Sequence, residues 1–343
     1  MSDQILIGWQ RGIPDAGIVW PAGYKVIEIG NSIGELVQNA NWKKLNFLII
    51  RASFEGYPEQ DWAEMKALKG IGLISTGQDN LPVHIFRELQ FAFISAEGCN
   101  ANAVADYVSL AFCEYVQNHG GILQAGFGLV GCGNTGGRIY RRFKAAGLEK
   151  ICFYDPYVEG SASLGEVLSM PVVSFHVPLT YSGGHATVGM LNANYFKDSS
   201  PMLIQTSRGK LWDPEYYSDS AKAQQIFCQD VYPQEPPNSK MVQSSYLSTP
   251  HIAGYSTIGR LGGIFKAVKK FFPEIKLPAL PNSEVWNLFE ESNRLKDNTD
   301  SFLQRRNTFP WRKELHEYNK DELATLLKQY DKLPETFIRK LVA

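Results

Sequence analysis

The chain is poor in cysteine. Five are scattered through 343 residues, at positions 99, 113, 132, 152 and 228, with no Cys-x-x-Cys pair. An odd, scattered set excludes a disulfide scaffold or a cysteine-bound zinc centre as the organising feature. Reduced thiols in a cytoplasm are expected instead, and no metal site. An excess of one charge is also lacking. Lys and Arg number 34 against 35 Asp and Glu, a net −1, so the basic footprint of a nucleic-acid binder is missing. Long apolar runs are missing too. Phe47–Ile50 is strand-length, whereas a membrane span needs about 18 residues. The opening Met1-Ser2-Asp3-Gln4 has no basic region before an apolar stretch, so no secretory signal is expected.

What is present is a globular composition, 44% hydrophobic and 20% charged, able to bury a core. At about 150 residues per domain the length predicts two domains, with room for a third. Apolar runs at Ile5–Ile7, Val26–Ile27, Phe47–Ile50, Gly72–Ile74 and Phe91–Ile94 predict five strands. Segments between them, such as Asp61–Leu68, predict helices. A long helix is predicted from Asn102 to Asn118, where Val104, Val108, Ala111, Phe112 and Tyr115 recur at three- and four-residue spacing. A second series of strands is predicted at Phe127–Val130, Ile151–Tyr154, Val172–Phe175, Met202–Ile204 and Ile226–Gln229. Strands alternating with helices imply parallel sheets with right-handed crossovers.

The expected fold class is therefore α/β, with two Rossmann- or flavodoxin-like doubly wound parallel-sheet domains. The first is expected over residues 1–100, with about 257–275 returning to it, and the second over 101–256. Residues 273–281 hold three prolines and read as an extended linker. Beyond it, residues 282–343 are charged and helical in pattern, a small third domain or an oligomerisation arm.

Gly131-Cys132-Gly133-Asn134-Thr135-Gly136 follows one predicted strand and opens a helix running to about Ala146. Gly131 permits the tight turn, Gly133 lets a pyrophosphate approach the backbone, and Gly136 allows close packing of helix on strand. The helix N-terminus supplies amides and the positive end of a dipole. Glycine-rich turns are common, but here the context fits on both sides. Asp155 ends the next strand, 19 residues after Gly136, where a carboxylate would accept from ribose hydroxyls. With no adjacent arginine it favours NAD over NADP.

Arg208, Glu235 and His251 each follow a predicted strand or lie in a loop beyond one. In an open α/β sheet such positions gather at one edge. Singly, each reads as an ordinary surface or loop residue. Together they suit oxidation of an alcohol beside a carboxylate. Arg208 offers a fork of donors for the carboxylate. His251 titrates near working pH and can take the hydroxyl proton, and Glu235 can orient the imidazole.

Further pieces follow in order: Phe175-His176-Val177-Pro178-Leu179-Thr180, then His185, Thr206-Ser207-Arg208-Gly209, Asp230-Val231-Tyr232-x-x-Glu235-Pro236 and Thr249-Pro250-His251-Ile252-Ala253-Gly254. With the glycine turn they resemble the D-isomer-specific 2-hydroxyacid dehydrogenases over about residues 98–260. The resemblance implies NAD as cofactor and Arg208, Glu235 and His251 as the catalytic set. It implies cofactor contacts from Gly131, Gly133, Asn134, Thr135, Gly136 and Asp155, and from Val177, Thr206, Ser207, Asp230 and Gly254. Asp230 is expected at the nicotinamide carboxamide, and His176 and His185 are expected to be structural or to line the cofactor.

The stretch Gly98–Val108, Tyr255 and the C-terminal arm resemble a branch of the family that acts on a phosphorylated acid. They imply a small phosphorylated 2-hydroxy acid as substrate, held by Arg51, Ser75, Tyr255 and Arg312 (or Arg306), and a homodimer without nucleic-acid or membrane partners. One departure is Ala52, where the family usually offers a hydroxyl; Ser53, one residue on, is the candidate substitute, although a strand would point it to the opposite face. The alternatives are a sibling enzyme for another D-2-hydroxy acid, and an NAD-sensing binding protein without turnover.

Overall fold

In a computed structural model the described residues run from 4 to 278, apart from 15, 119–125, 146, 195, 197–200, 218–226 and 244. Two compact units result. Met1–Asn100 and Ser256–Asn282 contribute to one, Ala101–Tyr255 to the other.

The first unit is a five-stranded parallel sheet. Its strands are β1 (Ile5–Gln10), β2 (Tyr24–Ile29), β3 (Phe47–Ile50), β4 (Gly70–Leu73) and β5 (Ala92–Ser95), in the order β2-β1-β3-β4-β5. The helices of this part are short, α1 (Ile33–Leu36) and α2 (Val83–Glu88). The period-two alternation of a strand sends neighbours to opposite faces. Leu48 and Ile50 pack with Ile33, Leu36, Trp62 and Phe86 on one face, and Ile49 with Ile7 and the last helix on the other.

Asp61–Leu68 does not form the predicted helix. Glu59–Glu64 is a 3-10 turn instead. The 3-10 helix buries Trp62, and the chain leaves helical geometry at Met65 (φ −80°, ψ 61°), so Met65 and Leu68 reach the core from the turn beyond it. β1 also outruns its apolar stretch. Gln10 is fully buried because its amide accepts from the Arg51 backbone N–H (2.7 Å) and donates to Asn31 Oδ1 (3.0 Å).

The second unit opens with α3 (Ala101–Asn118), followed by β6 (Phe127–Val130), α4 (Gly136–Ala145), β7 (Ile151–Tyr154), α5 (Leu164–Leu168), β8 (Val172–Phe175), β9 (Met202–Gln205), β10 (Phe227–Gln229), α6 (Ser239–Gln243) and β11 (Leu247–Ser248). Its six parallel strands lie in the order β11-β10-β9-β8-β6-β7. α3 and α4 pack on one face through Phe112, Phe127 and Phe143, whose ring centroids lie 4.9–5.0 Å apart. Arg142 of α4 donates to Asp106 of α3 at 2.7 Å, a buried pair. On the other face α5 packs through Val167 and Leu168 onto Val173, Phe175 and Leu203. The strand order reverses between β6 and β8, which creates the crevice where open α/β sheets take ligands.

The chain then returns to the first unit as α7 (Thr257–Phe271), capped by the Ser256 hydroxyl, which accepts from the Gly259 amide. Gly72 of β4 makes room for it, since a Cβ there would meet Ala267 at 2.9 Å. Residues 273–278, read as the start of a linker, pack onto this unit through fully buried Ile275. The segment 282–343, with Arg306 and Arg312, lies outside the described residues. No helix among those described is long and apolar enough to cross a membrane, and they hold no cluster of three His, Cys, Asp or Glu suited to a metal ion.

Candidate active site

The glycine turn lies in the crevice of the second unit, between β6 and α4. Gly131 has φ +93°, and a Cβ there would meet the His176 carbonyl at 2.7 Å and Val177 Cγ1 at 2.9 Å. The turn after β6 is thus pressed against the loop after β8, with Val177 in its wall. A Cβ at Gly136 would overlap the Gly131 carbonyl, so this glycine lets α4 start directly against the turn. Gly133 is different: nothing lies within 4 Å of where its Cβ would be. No protein group requires a glycine there, and the space is what a phosphate would fill. The backbone amides of Asn134, Thr135 and Gly136 have no acceptor among the described residues. Asp155 closes the far side, accepting from the Cys132 amide at 2.9 Å and the Tyr157 amide at 3.1 Å. A free helix N-terminus beside open space suits a pyrophosphate, and the residues present fit NAD.

Thr206 and Ser207 follow β9. The Thr206 hydroxyl is buried without a partner among the described residues, a donor that a cofactor would satisfy. The Ser207 hydroxyl already donates to Gln205 Oε1 at 2.8 Å. His176 shares its Nε2 with the Ser174 hydroxyl at 2.8 Å, and burial pulls its pKa down to about 3, so it stands as a neutral structural group. His185 is exposed, 3.4 Å from the Tyr154 hydroxyl and edge-on to Tyr157.

Arg208, Glu235 and His251 sit on three loops beyond the carboxyl ends of β9, β10 and β11. His251 Nδ1 lies 3.1 Å from Glu235 Oε2, with the histidine side chain 47% exposed and the glutamate 30%. Burial alone would lower the imidazole pKa. The Glu235 hydrogen bond and charge, helped by Asp230, outweigh it and the opposing Arg208, and the net shift is upward. Arg208 donates to the Ser207 carbonyl at 2.9 Å. Gly209, next to it, abuts the Tyr232 backbone so closely that a Cβ would overlap that carbonyl. This contact locks the arginine loop to the loop carrying Glu235.

His251 adopts a left-handed conformation, φ +54°, which a side chain rarely tolerates without support. The support is Asp230. Its backbone carbonyl accepts from the His251 amide at 2.9 Å, and its carboxylate from the Ile252 and Ala253 amides, both at 2.7 Å. Thr249 Oγ1 adds a fourth bond at 2.6 Å. The sequence reading aimed the Asp230 carboxylate at the nicotinamide carboxamide. In the structure that carboxylate is 1% exposed, and its bonds hold the histidine loop. Gly254 and Tyr255 close that loop, the Tyr255 amide donating to the Ile252 carbonyl at 2.9 Å. Sequence reasoning missed Tyr107, whose hydroxyl lies 2.7 Å from Thr249 Oγ1 and carries the network back to α3. Its place in a helical stripe gave no sign of this.

In the first unit Arg51 follows β3, with Nη2 donating to the Arg11 carbonyl at 3.1 Å. Ser75 follows β4, and its hydroxyl is buried with no partner among the described residues.

A doubly wound sheet with this cradle, and a histidine–glutamate pair beside an arginine, is the arrangement that an NAD-dependent dehydrogenase requires. The NAD-binding-domain model of the D-isomer specific 2-hydroxyacid dehydrogenases matches residues 117–253, and the erythronate-4-phosphate dehydrogenase of a Marinomonas species is 34% identical over 259 residues, 72% of this chain and 67% of that protein. The chain belongs to the D-isomer-specific 2-hydroxyacid dehydrogenase family. The erythronate-4-phosphate dehydrogenase of Tolumonas auensis is 32% identical over 217 residues, 60% of this chain, and the chain spans 58% of its length. Among solved structures, an NAD+-bound 3-phosphoglycerate dehydrogenase of Entamoeba histolytica superposes with a TM-score of 0.61. It is 19% identical and covers 82% of this chain and 99% of that one. At that identity the likeness shows the fold alone.

Proposed function

We propose that this chain oxidises 4-phospho-D-erythronate to the 2-oxo acid, 2-oxo-3-hydroxy-4-phosphobutanoate, with NAD as acceptor. The observation that carries the chemistry is the His251–Glu235 contact at 3.1 Å with the ring half-exposed beside Arg208. The substrate rests on the two relatives named above, and both carry that activity in their names.

NAD, when bound, would supply the hydride acceptor for carbon 2. The protein's own groups do the rest. Nδ1–H donates to Glu235, which leaves Nε2 to accept the hydroxyl proton as the C–H bond breaks. The resulting imidazolium is stabilised by the Glu235 carboxylate. Arg208 holds the substrate carboxylate through its fork of donors, fixing carbon 2. The amides of Asn134, Thr135 and Gly136 would hold the pyrophosphate, and Asp155 the adenosine ribose. Thr206, Ser207 and Gly254 would line the nicotinamide end. Arg51, Ser75 and Tyr255 are assigned to the rest of the substrate.

NADH formation is the test, with 4-phospho-D-erythronate, 3-phospho-D-glycerate and D-lactate offered separately. A clear preference in kcat/KM for the first supports the reading. Turnover of only another acid reassigns the substrate, and NAD binding with no turnover of any overturns the reading.

A further inference from the structure

We infer that an apolar groove on the first unit is the seat of the chain's own Pro278-Ala279-Leu280-Pro281 segment, which docks there as a polyproline strap and fixes where residues 282–343 leave that unit. The inference is independent of the substrate and uses none of the catalytic residues. The groove is lined by Trp9 of β1, Val26 of β2, and Ile13, Ala16, Ile18 and Trp20 of the loop between them, and it holds about 240 Å3. Every lining residue is apolar. β2 is an edge strand of the sheet, Val26 on it stays 36% exposed, and Val19 in the same loop is 82% exposed. Apolar surface left open at a sheet edge calls for a cover.

The chain that leaves α7 is led to this groove by successive contacts. Phe272 packs edge-on to Trp20, with ring centroids 5.5 Å apart. Glu274 accepts from the Tyr24 hydroxyl at 2.7 Å. Ile275 is buried, and Leu277 packs on the cluster that holds Ile13 and Ala16. Pro278 then reaches the groove wall itself. Its Cγ lies 3.5 Å from where a Cβ on Gly17 would be, and Gly17 stands between the lining residues Ala16 and Ile18. The last described residue is thus at the rim of the groove, and residues 279–343 continue from there.

The residue types that follow suit such a seat. Proline fixes φ at positions 278 and 281, and the residue before each, Leu277 and Leu280, is pushed towards extended or polyproline geometry. Ale279 excepted, the stretch is therefore close to a polyproline II helix before it docks, and it loses little entropy in docking. Such a helix repeats every three residues, so Pro278 and Pro281 share a face about 9 Å apart, one at the rim and the next further along the groove. Proline-rich segments of this x-Pro-x-x-Pro form bind grooves lined by aromatic side chains, and here two tryptophans form the wall. An apolar cavity of about 150 Å3 takes a benzene ring, so the groove has room for the Leu280 side chain with the Pro281 ring. The Trp9 indole N–H is already spent on the Ile13 carbonyl at 3.3 Å. That of Trp20 has no acceptor among the described residues and can donate to a carbonyl of the strap.

The experiment pairs V26C with L280C in the full-length chain, and E88C with L280C as a control, since Glu88 is exposed at the end of α2, which packs on the other face of the sheet. Copper phenanthroline, as oxidant, takes two hydrogens from each thiol pair to form a disulfide, and the products are mapped by peptide mass. V26C/L280C is expected to join within one chain in most molecules, and E88C/L280C is expected not to join. A disulfide between two chains would place the segment in the groove of a second copy, and no V26C–L280C disulfide would leave the groove to another occupant. Either result overturns the strap. A second readout keeps the native cysteines. Lys276 is exposed, and trypsin cutting after it is expected to be at least fivefold faster in L280D than in the wild type, with L280M close to the wild type. Equal rates in all three overturn the strap even where the disulfide forms.

Discussion

Replacing Glu235 by Gln removes a charge from the His251 partner while keeping a hydrogen-bond acceptor in place. Two unit charges about 4 Å apart attract by about 1 kcal/mol in bulk water and by about 4 kcal/mol at an effective dielectric of 20. The histidine side chain is 47% exposed and the carboxylate 30%, so solvent screening keeps this pair near the lower figure. About 1.4 kcal/mol corresponds to one pKa unit. In the wild type the imidazole pKa is raised. Oxidation needs the neutral ring, so its rate climbs with pH through that raised value, and reduction, which needs the imidazolium, falls through it. E235Q should move both midpoints to lower pH by about one unit. It should also lower the high-pH plateau of oxidation, because the imidazolium formed in the transition state loses its counter-charge. The assay is kcat/KM for NADH formation, and for the reverse reaction, from pH 5 to about 10. An unmoved midpoint in both directions would refute the argument that Glu235 sets the proton affinity of His251.

Other substitutions probe other links. R208K keeps the charge and loses the planar fork, and should cost about 2 kcal/mol in kcat/KM, roughly 30-fold; an unchanged value would remove the carboxylate clamp. G136A places a methyl group onto the Gly131 carbonyl. It should cost about 1–3 kcal/mol in stability as the turn is forced open and weaken NAD binding at least tenfold by calorimetry. D106A removes the carboxylate facing Arg142, whose side chain is 1% exposed, and should destabilise the second unit by up to about 3–5 kcal/mol in denaturant. A loss below about 1 kcal/mol would mean that Arg142 finds another partner.

The fold was legible where burial is complete on both faces. Strands such as β3 and β6 are continuous runs without a polar side chain because helices cover both sides of a parallel sheet, and their observed bounds coincide with those read from sequence. Legibility failed where a polar residue is buried or a helix ends early. Gln10 extends β1 only because its amide bridges Arg51 and Asn31, a partnership 41 residues away that no local pattern carries. Asp61–Leu68, expected to be helical, holds only the end of a 3-10 helix over Glu59–Glu64. At the site, Gly131, Gly136 and the His251–Glu235 pair could be anticipated because their chemistry lies in local motifs. The role of Asp230 in propping a left-handed His251 depends on tertiary packing. Motif spacing does not encode it.

The central claim is that His251 takes the proton while other residues hold the cofactor, and H251N separates the two. Asn removes the titratable group, tolerates the left-handed backbone better than most residues, and leaves the glycine turn untouched. NAD affinity by calorimetry and single-turnover NADH formation would be measured on the same preparation. The account predicts NAD binding within about twofold of the wild type and hydride transfer slowed by at least about 100-fold, the scale of general-base catalysis. Hydride transfer at the wild-type rate, or NAD binding lost in a folded protein, would contradict it.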